Sequence, residues 1–205
     1  MKILEVKKLA IPQIKVFKIQ RFSDFRGYFT ETFRQQDLEK VIPNFKVIQI
    51  NESYSKKRVF RGLHFQWNPY MAKFIRVIKG VIIDIGLDIR LKSPTYGKAI
   101  VYQIKSNENI DFFEAIFLPI GFAHGVYFLE ESIIEYYCNS SWDPQSEASI
   151  NPLSKTIDWS LTDENLKKIL KENLSQAIIS EKDKQGILLE DWLKDDRSKN
   201  FIYSS

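Results

Sequence analysis

The amino-acid sequence predicts an all-β fold, an antiparallel sandwich or barrel, that ends in a short helical extension. Apolar stretches with alternating or β-branched residues recur at roughly 8- to 12-residue intervals through about residue 150, with turn-forming residues between them. This spacing is typical of antiparallel sheets rather than of strands that alternate with helices. After Trp159 the pattern changes, because apolar residues then recur at the spacing of an amphipathic helix.

The β part is built, in chain order, from short segments that each read as one strand. Lys79-Gly80 is expected to form a hairpin turn between two of them, and residues 35–41 are the single early segment with a helical pattern. The predicted strands span residues 14–22, 46–53, 74–78, 81–88, 99–104, 112–118, 126–129 and 133–138.

The helical extension begins after residue 160. The segment TDENLKKILKENL (162–174) carries one apolar stripe and a charged back, and we expect Ser160 or Thr162 to cap it. A second helical pattern spans residues 186–193. We therefore expect one domain over residues 1–205, with the β part at about 1–160 and the helical appendage at about 161–205.

Composition limits the classes of function. The chain has 205 residues, 44% of them hydrophobic, and a net charge of +4 spread along its length, which argues against a nucleic-acid groove. Cys138 is the single cysteine, so no intrachain disulfide can form and a reducing compartment is expected. The two histidines have no spacing typical of a metal site, and we expect no metal. No apolar run approaches the ~18 residues of a membrane span, so we expect a cytoplasmic protein with no membrane partner.

The segment RGLHFQ (61–66) carries the densest group of chemically useful residues. In an extended strand Arg61 and His64 face opposite ways, and a twist or bulge at Gly62 would bring both to one cavity. The structural alternative is a core histidine beside a surface arginine. Lys73 opens an apolar strand, either as a cation in a cavity or as a strand-end lysine that extends to solvent.

Two further segments offer polar groups to a cavity. In GFAHG (121–125), the glycines around His124 allow either close approach to a ligand or a tight turn with an exposed histidine. In IIEYYC (133–138), alternation puts Tyr136 on the face of Ile134 and Cys138. Its hydroxyl is then packed in the core or exposed to a cavity.

Three other features have both a functional and a structural explanation. Arg26 is either a bidentate phosphate clamp or a surface arginine. Gln49 and Asn51 alternate along one strand face, which either binds a base or sugar through hydrogen bonds or faces solvent. Asp183 lies in SEKD (180–183), a pattern that also fits a helix cap.

Taken together, these segments resemble the dTDP-4-keto-6-deoxyglucose 3,5-epimerase family. The resemblance covers residues 10–160, with a short echo at 178–190. It rests on RGLHFQ (61–66), Lys73, DIRLKSPTYG (88–97), LPIGFAHG (118–125) and IDWSL (157–161), in the family's order. It implies a cupin-like jelly roll, a homodimer, and catalysis without a cofactor or metal on a nucleotide-diphosphate sugar.

The resemblance also assigns roles to residues. His64 matches the general base, Asp183 the carboxylate that orients it, Lys73 the cation near the C4 oxygen, and Tyr136 the acid on the opposite face. Arg26, Arg61, His124 and Lys182 match positions near the diphosphate or sugar. Positions around the nucleotide, some reached from the partner subunit, are matched by Phe22, Glu31, Gln49, Asn51, Trp142 and Glu147.

The implied reaction inverts C3 and C5 of a 4-keto-6-deoxy sugar, as in the synthesis of rhamnose-type deoxysugars. The C4 ketone acidifies both positions, an imidazole suits proton removal near neutral pH, and an ammonium stabilises the enolate oxygen. Two alternatives stay open: an enzyme that inverts one centre of a different nucleotide sugar, and a non-catalytic cupin-like module that binds a sugar nucleotide. The extra helix near 163–173 either covers a dimer surface or closes the pocket as a lid.

Overall fold

Two antiparallel sheets pack face to face as a cupin-like jelly roll in the computed structural model, which describes residues 1–107 and 111–204. Sheet one contains, in spatial order, β1 (Ile3–Lys8), β2 (Lys15–Gln20), β10 (Phe112–Leu118), β7 (Lys73–Lys79), β12 (Ser132–Cys138) and β5 (Gln49–Ser55). Sheet two contains β13 (Glu147–Ser149), β6 (Val59–Gln66), β11 (Phe122–Phe128), β8 (Val81–Asp88) and β9 (Ala99–Lys105). The sequence-based fold class is confirmed.

Smaller elements surround these sheets. A hairpin of β3 (Phe22–Asp24) and β4 (Gly27–Phe29) stands apart from both, and β14 (Ile178–Ile179) adds to β6 in parallel. The helices are α1 (Gln35–Glu39), α2 (Glu164–Leu174), α3 (Glu181–Lys184) and α4 (Leu189–Trp192), followed by a 3-10 helix, Asp196–Asn200.

The hydrophobic core lies in three layers. Between the sheets, Ile75, Ile116 and Ile134 of sheet one pack with Ile82 and Phe128 of sheet two. The outer face of sheet one is covered by α1 and the loop after it. The outer face of sheet two is covered by α2 and the C-terminal segment. The central strands are therefore covered on both faces, and every residue of β8 is buried, its two aspartates included.

Several predicted elements need correction. Residues 14–22 form β2 and the start of the hairpin rather than one strand, and β1 was not predicted. The strand predicted at 126–129 begins at Phe122, so within GFAHG only Gly121 lies in a turn and the other four residues are strand. Asp163 caps α2 by accepting hydrogen bonds from the amides of Asn165 and Leu166, so the expected cap at Ser160 or Thr162 is wrong. The helical pattern at 186–193 becomes helix only at α4.

Candidate active site

A cavity of about 370 Å³ opens between the two sheets. Sheet one lines it from β5, β7 and β12, and sheet two from β6, β11 and β13. Its floor is apolar and continuous with the layer between the sheets, because Leu118, Phe122 and Val126 belong to both. Polar and charged side chains rise around this floor, as is typical of small-molecule sites.

His64 and Asp183 form a hydrogen-bonded pair at the wall from sheet two. His64 Nε2 lies 2.7 Å from Asp183 Oδ1, while the other ring nitrogen, Nδ1, has no hydrogen-bond partner among the described residues. Asp183 is buried, which by itself would raise its carboxyl pKa. Hydrogen bonds from His64, Ser180 and the Gly62 amide outweigh burial and hold that pKa below its usual value. The carboxylate thus fixes the ring so that Nδ1 accepts a proton.

Gly62 allows this arrangement. Its φ is +119°, and a Cβ there would lie 2.5 Å from the Gly125 Cα, so β6 and β11 approach closely at this point. The pairing of the two strands shifts register here, with His124 opposite His64 but Val126 opposite Arg61. The bulge predicted at Gly62 is therefore present, and both Arg61 and His64 line the cavity.

Lys73 lies in the cavity wall formed by sheet one. It begins β7, opposite Cys138 of β12, and it has no ion-pair or hydrogen-bond partner within residues 1–107 and 111–204. Burial lowers the pKa of its ammonium group. The cavity alternative for Lys73 is therefore correct, because a strand-end lysine that extends to solvent would not be desolvated in this way.

Tyr136 lines the same wall, on the face it shares with Cys138 and Ile134 as alternation predicts. Its hydroxyl lies 3.4 Å from the Ser53 hydroxyl, and burial raises its pKa to about 12. Tyr136 thus stays a protonated phenol at neutral pH. It belongs to sheet one and His64 to sheet two, so the two side chains line the cavity from opposing sheets.

His124 is buried in the cavity wall, next to a residue that sequence reasoning missed. Its Nε2 lies 2.9 Å from Asp84 Oδ2, and burial lowers the imidazole pKa despite that carboxyl group. Gly125, the glycine next to it, fits neither of the two alternatives left open, a close approach to a ligand or a tight turn. A Cβ at Gly125 would lie 2.6 Å from Leu63 Cδ2, so this glycine makes room for core packing. Asp84 could have been found from its place as the one charged residue inside the apolar strand 81–86.

The mouth of the cavity is lined by further predicted residues. Trp142 is about half exposed there, and its amide donates to Gln49 Oε1 over 2.9 Å. Lys182 donates to Glu147 Oε2 over 2.6 Å. Arg61, Gln49, Asn51, Trp142 and Glu147 all line the cavity, and Lys182 lies beside it through its ion pair.

Three predicted residues lie elsewhere in this chain. Phe22 and Arg26 belong to the β3–β4 hairpin, where Arg26 binds Asp24 in bidentate fashion. Glu31 pairs with Arg34 and with the amino group of Met1. None of the three lines the cavity of its own chain.

The structure also bears on metals and membranes. Among the described residues, no group of three or more His, Cys, Asp or Glu side chains is arranged to hold a metal ion. None of the helices in residues 1–107 and 111–204 has the length and apolarity to cross a bilayer.

Solved structures of similar shape are sugar-nucleotide epimerases. A dTDP-6-deoxy-D-glucose-3,5-epimerase from Legionella pneumophila, in complex with dTDP-4-keto-L-rhamnose, is 29% identical and matches with a TM-score of 0.82 over 98% of this chain and 99% of that one. A dTDP-4-dehydrorhamnose 3,5-epimerase from Sulfolobus tokodaii is 35% identical, with a TM-score of 0.74 over 93% and 97%. By class, then, the protein is a carbohydrate epimerase built on a jelly roll.

Sequence comparison narrows the class to one family. The model of the dTDP-4-dehydrorhamnose 3,5-epimerase family matches residues 8–191. The enzyme of that name from Methanothermobacter thermautotrophicus is 36% identical over 80% of this chain and 82% of its own. The Salmonella typhimurium enzyme is 34% identical over 86% and 98%. The chain belongs to the dTDP-4-dehydrorhamnose 3,5-epimerase family.

Proposed function

We propose that this protein converts a dTDP-linked 4-keto-6-deoxyglucose into the 4-keto-rhamnose isomer by inverting C3 and C5. The observation that carries the proposal is that His64, Lys73 and Tyr136 line one cavity, with Asp183 hydrogen-bonded to His64. Membership of the family supports the reaction type, and the relative solved with dTDP-4-keto-L-rhamnose supports the nucleotide. The four residues supply a base, its orienting carboxylate, a cation and an acid.

His64 is the general base in this proposal. Hydrogens on C3 and C5 are acidic because each carbon is adjacent to the C4 ketone, so removal of either one gives an enolate. The free Nδ1 of His64 accepts that proton, and the Asp183 carboxylate stabilises the imidazolium that results.

Lys73 and Tyr136 complete the inversion. The Lys73 ammonium has no competing partner among the described residues, so it is available to stabilise the negative charge that develops on the C4 oxygen. Tyr136 then donates a proton to the carbon from the side opposite His64. Removal from one face and return on the other inverts the centre.

The nucleotide lies at the cavity mouth in this proposal. Trp142 is positioned for the base to stack on its exposed ring, and Gln49 and Asn51 offer amide groups for hydrogen bonds to the base or sugar. Near the diphosphate and sugar, N–H groups for hydrogen bonds are offered by Arg61, His124 and Lys182. Glu147 holds Lys182 at this edge.

A second copy of the chain completes the mouth. The β3–β4 hairpin exposes Phe25 (98%) and Phe29 (71%). Ile50 on edge strand β5 and Ile48 just before that strand are also exposed. Patches of this kind, on an open sheet edge, favour association. We infer a homodimer in which the hairpin brings Phe22 and Arg26, and the segment after it brings Glu31, to the partner's nucleotide site, since none of the three lines the cavity of its own chain.

Proton NMR in D2O tests the proposal. Each inversion replaces one carbon-bound hydrogen with deuterium, so the dTDP-4-keto-6-deoxy sugar should take up deuterium at both C3 and C5. Uptake at C3 or C5 alone would identify a single-centre epimerase. No uptake would contradict the reaction for this substrate.

The non-catalytic alternative is not favoured. A module that only binds a sugar nucleotide has no use for an oriented imidazole and a phenol on opposing sheets. The fold itself does not distinguish one-centre from two-centre enzymes, because ChmJ, a 3'-monoepimerase from Streptomyces bikiniensis, shares it at 22% identity with a TM-score of 0.76.

A further inference from the structure

We propose that Ser53 is a positioning residue that returns the proton to Tyr136 while the sugar is still bound. This inference rests on the proposed function, because it concerns how a single acid can serve two inversions. Ser53 lies on β5, the strand next to Tyr136 on β12, and no role for it follows from the family resemblance or from the mechanism above.

Two inversions by one acid require a residue that returns a proton to Tyr136. When the Tyr136 O–H bond breaks and the proton goes to a sugar carbon, a phenolate is left behind. A second inversion requires that the phenolate regain a proton before the sugar leaves. The cavity floor beneath the sugar is apolar, with Leu118, Phe122 and Val126, and has no proton to give.

The contacts of Tyr136 leave one route by which a proton can return to its phenolate oxygen. Among the described residues, the hydroxyl of Ser53 is the only hydrogen-bond partner of the Tyr136 hydroxyl, at 3.4 Å. Hydrogen bonds of catalytic groups are often long in a free enzyme and shorten when substrate binds. His124 packs edge-on against the Tyr136 ring, with ring centroids 6.1 Å apart, and so closes the inner side.

The sheet places Ser53 between Tyr136 and solvent. In the β12–β5 pairing Asn51 is opposite Tyr136 and Ser53 opposite Ile134, so Ser53 is the diagonal neighbour of Tyr136 on the cavity face. Beyond β5 there is no further strand in the described sheet, and Ser53 is only partly buried. Within its own chain, Ser53 therefore lies between the buried phenol and the mouth of the cavity.

The step balances with water as its only co-reactant. The Ser53 O–H proton moves to the phenolate oxygen of Tyr136 as a water at the cavity edge gives its proton to Ser53. One O–H bond breaks and one forms at the serine, so its hydroxyl is unchanged. The hydroxide left in solvent is neutralised by the proton that His64 releases to water.

Substitutions at Ser53 test the relay. Ser53→Ala should lower kcat by roughly fivefold to tenfold, the effect of one lost hydrogen bond, with KM changed less than about twofold. In D2O the variant should also release a larger share of product that carries deuterium at only one centre. Ser53→Thr keeps the hydroxyl on a strand-compatible side chain and should restore both rate and product ratio. Ser106→Ala, which removes a hydroxyl bonded to Ile78 O outside the cavity, is the matched control and should behave as wild type.

Different outcomes would contradict the Ser53 relay and the proposed epimerase reaction. An unchanged kcat and product ratio in Ser53→Ala would overturn the relay, and so would equal impairment of Ser53→Ala and Ser53→Thr, since side-chain size would then be the cause. Absence of deuterium uptake by the wild-type enzyme would instead contradict the proposed function.

Discussion

At the scale of single residues, the cavity works by giving similar groups different surroundings. His64 is held by a carboxylate and is partly exposed to the cavity, whereas His124 is buried against Asp84 and its pKa is lowered. In the proposed mechanism the two imidazoles thus have separate tasks, because His64 moves protons and His124 stays neutral. Lys73 and Tyr136 are affected by burial in opposite senses, because burial disfavours the charged form of each.

His64→Asn and Asp183→Asn should both reduce epimerisation while leaving the fold intact. We expect kcat to fall at least about 10²-fold in each, since a base and its orienting carboxylate typically contribute effects of that size or larger. Steady-state kinetics with circular dichroism checks this. Asp163→Asn, which changes a cap of α2 outside the cavity, is the control. A fully active His64→Asn enzyme would rule out His64 as the base.

Lys73→Met should lower kcat by about two orders of magnitude, corresponding to ~3 kcal/mol of lost oxyanion stabilisation. The lowered pKa of Lys73 adds a pH test. Its ammonium form exists below that pKa and is lost as pH rises through it, so wild-type kcat should decline at a lower alkaline pH than an ordinary lysine would cause. Lys73→Arg should shift this decline to higher pH. An identical alkaline limb in wild type and Lys73→Arg would contradict the assignment.

At the scale of elements, one motif behind the resemblance turns out to be structural. In DIRLKSPTYG, buried Asp88 accepts hydrogen bonds from the Arg90 side chain and from the hydroxyls of Ser93 and Thr95. Burial would raise its pKa, but these partners hold the pKa below its usual value. The motif fixes the loop between β8 and β9, and the chemistry lies elsewhere.

Asp88→Ala should destabilise the protein by about 3 kcal/mol, because Arg90 is then left largely buried without its partner. Chemical denaturation checks this. Asp195 makes the same bidentate contact with the more exposed Arg197, and Asp195→Ala should cost less than about 1 kcal/mol. Because the Asp88 pKa is lowered in the folded state, its contribution is present above pH ~4 and lost below it. Equal losses in both variants would contradict the role of burial.

Sequence periodicity predicted most strands because each is short, apolar and bounded by turn residues. It missed β1, in which only Ile3 and Val6 are partly buried and no strong apolar run occurs. It placed the start of β11 too late because Gly121 and Gly125 suggested a turn. Gly121 does lie in the turn before β11, whereas Gly125 is required by close packing against β6. The cap of α2 was missed because three neighbouring residues, Ser160, Thr162 and Asp163, are all good caps.

At the scale of the whole molecule, the site depends on contacts between distant parts of the chain. Asp183 reaches His64 because β14 pairs with β6 and α3 follows directly, with Ser180 as its cap. The capping interpretation of SEKD is therefore correct, and Asp183 also makes the contact with His64 that the catalytic prediction requires. Periodicity could not predict this contact, since nothing local links residues 119 positions apart. The helix α2 lies against β9 and lines no part of the cavity, so it is not a lid in this structure.

Phe25→Ser combined with Phe29→Ser should convert the proposed homodimer into monomer, because the apolar area that association would remove from water is then lost. Light scattering after size-exclusion chromatography measures the mass. Nucleotide affinity should fall as well, since the hairpin would no longer reach the partner's site. Leu193→Ser, at an exposed leucine outside both patches, should leave the mass unchanged. A wild-type protein that is monomeric at micromolar concentration would contradict the dimer.

The proposed mechanism depends most on His64 and Tyr136 acting from opposite faces of the sugar ring. A crystal structure with dTDP-L-rhamnose, which has no ketone and cannot react, measures this directly. We predict His64 Nδ1 and the Tyr136 hydroxyl on opposite faces of the pyranose, each within roughly 3.5 Å of C3 or C5 or their hydrogens, with the thymine on Trp142. A sugar with both groups on one face, or bound outside the cavity, would contradict the account.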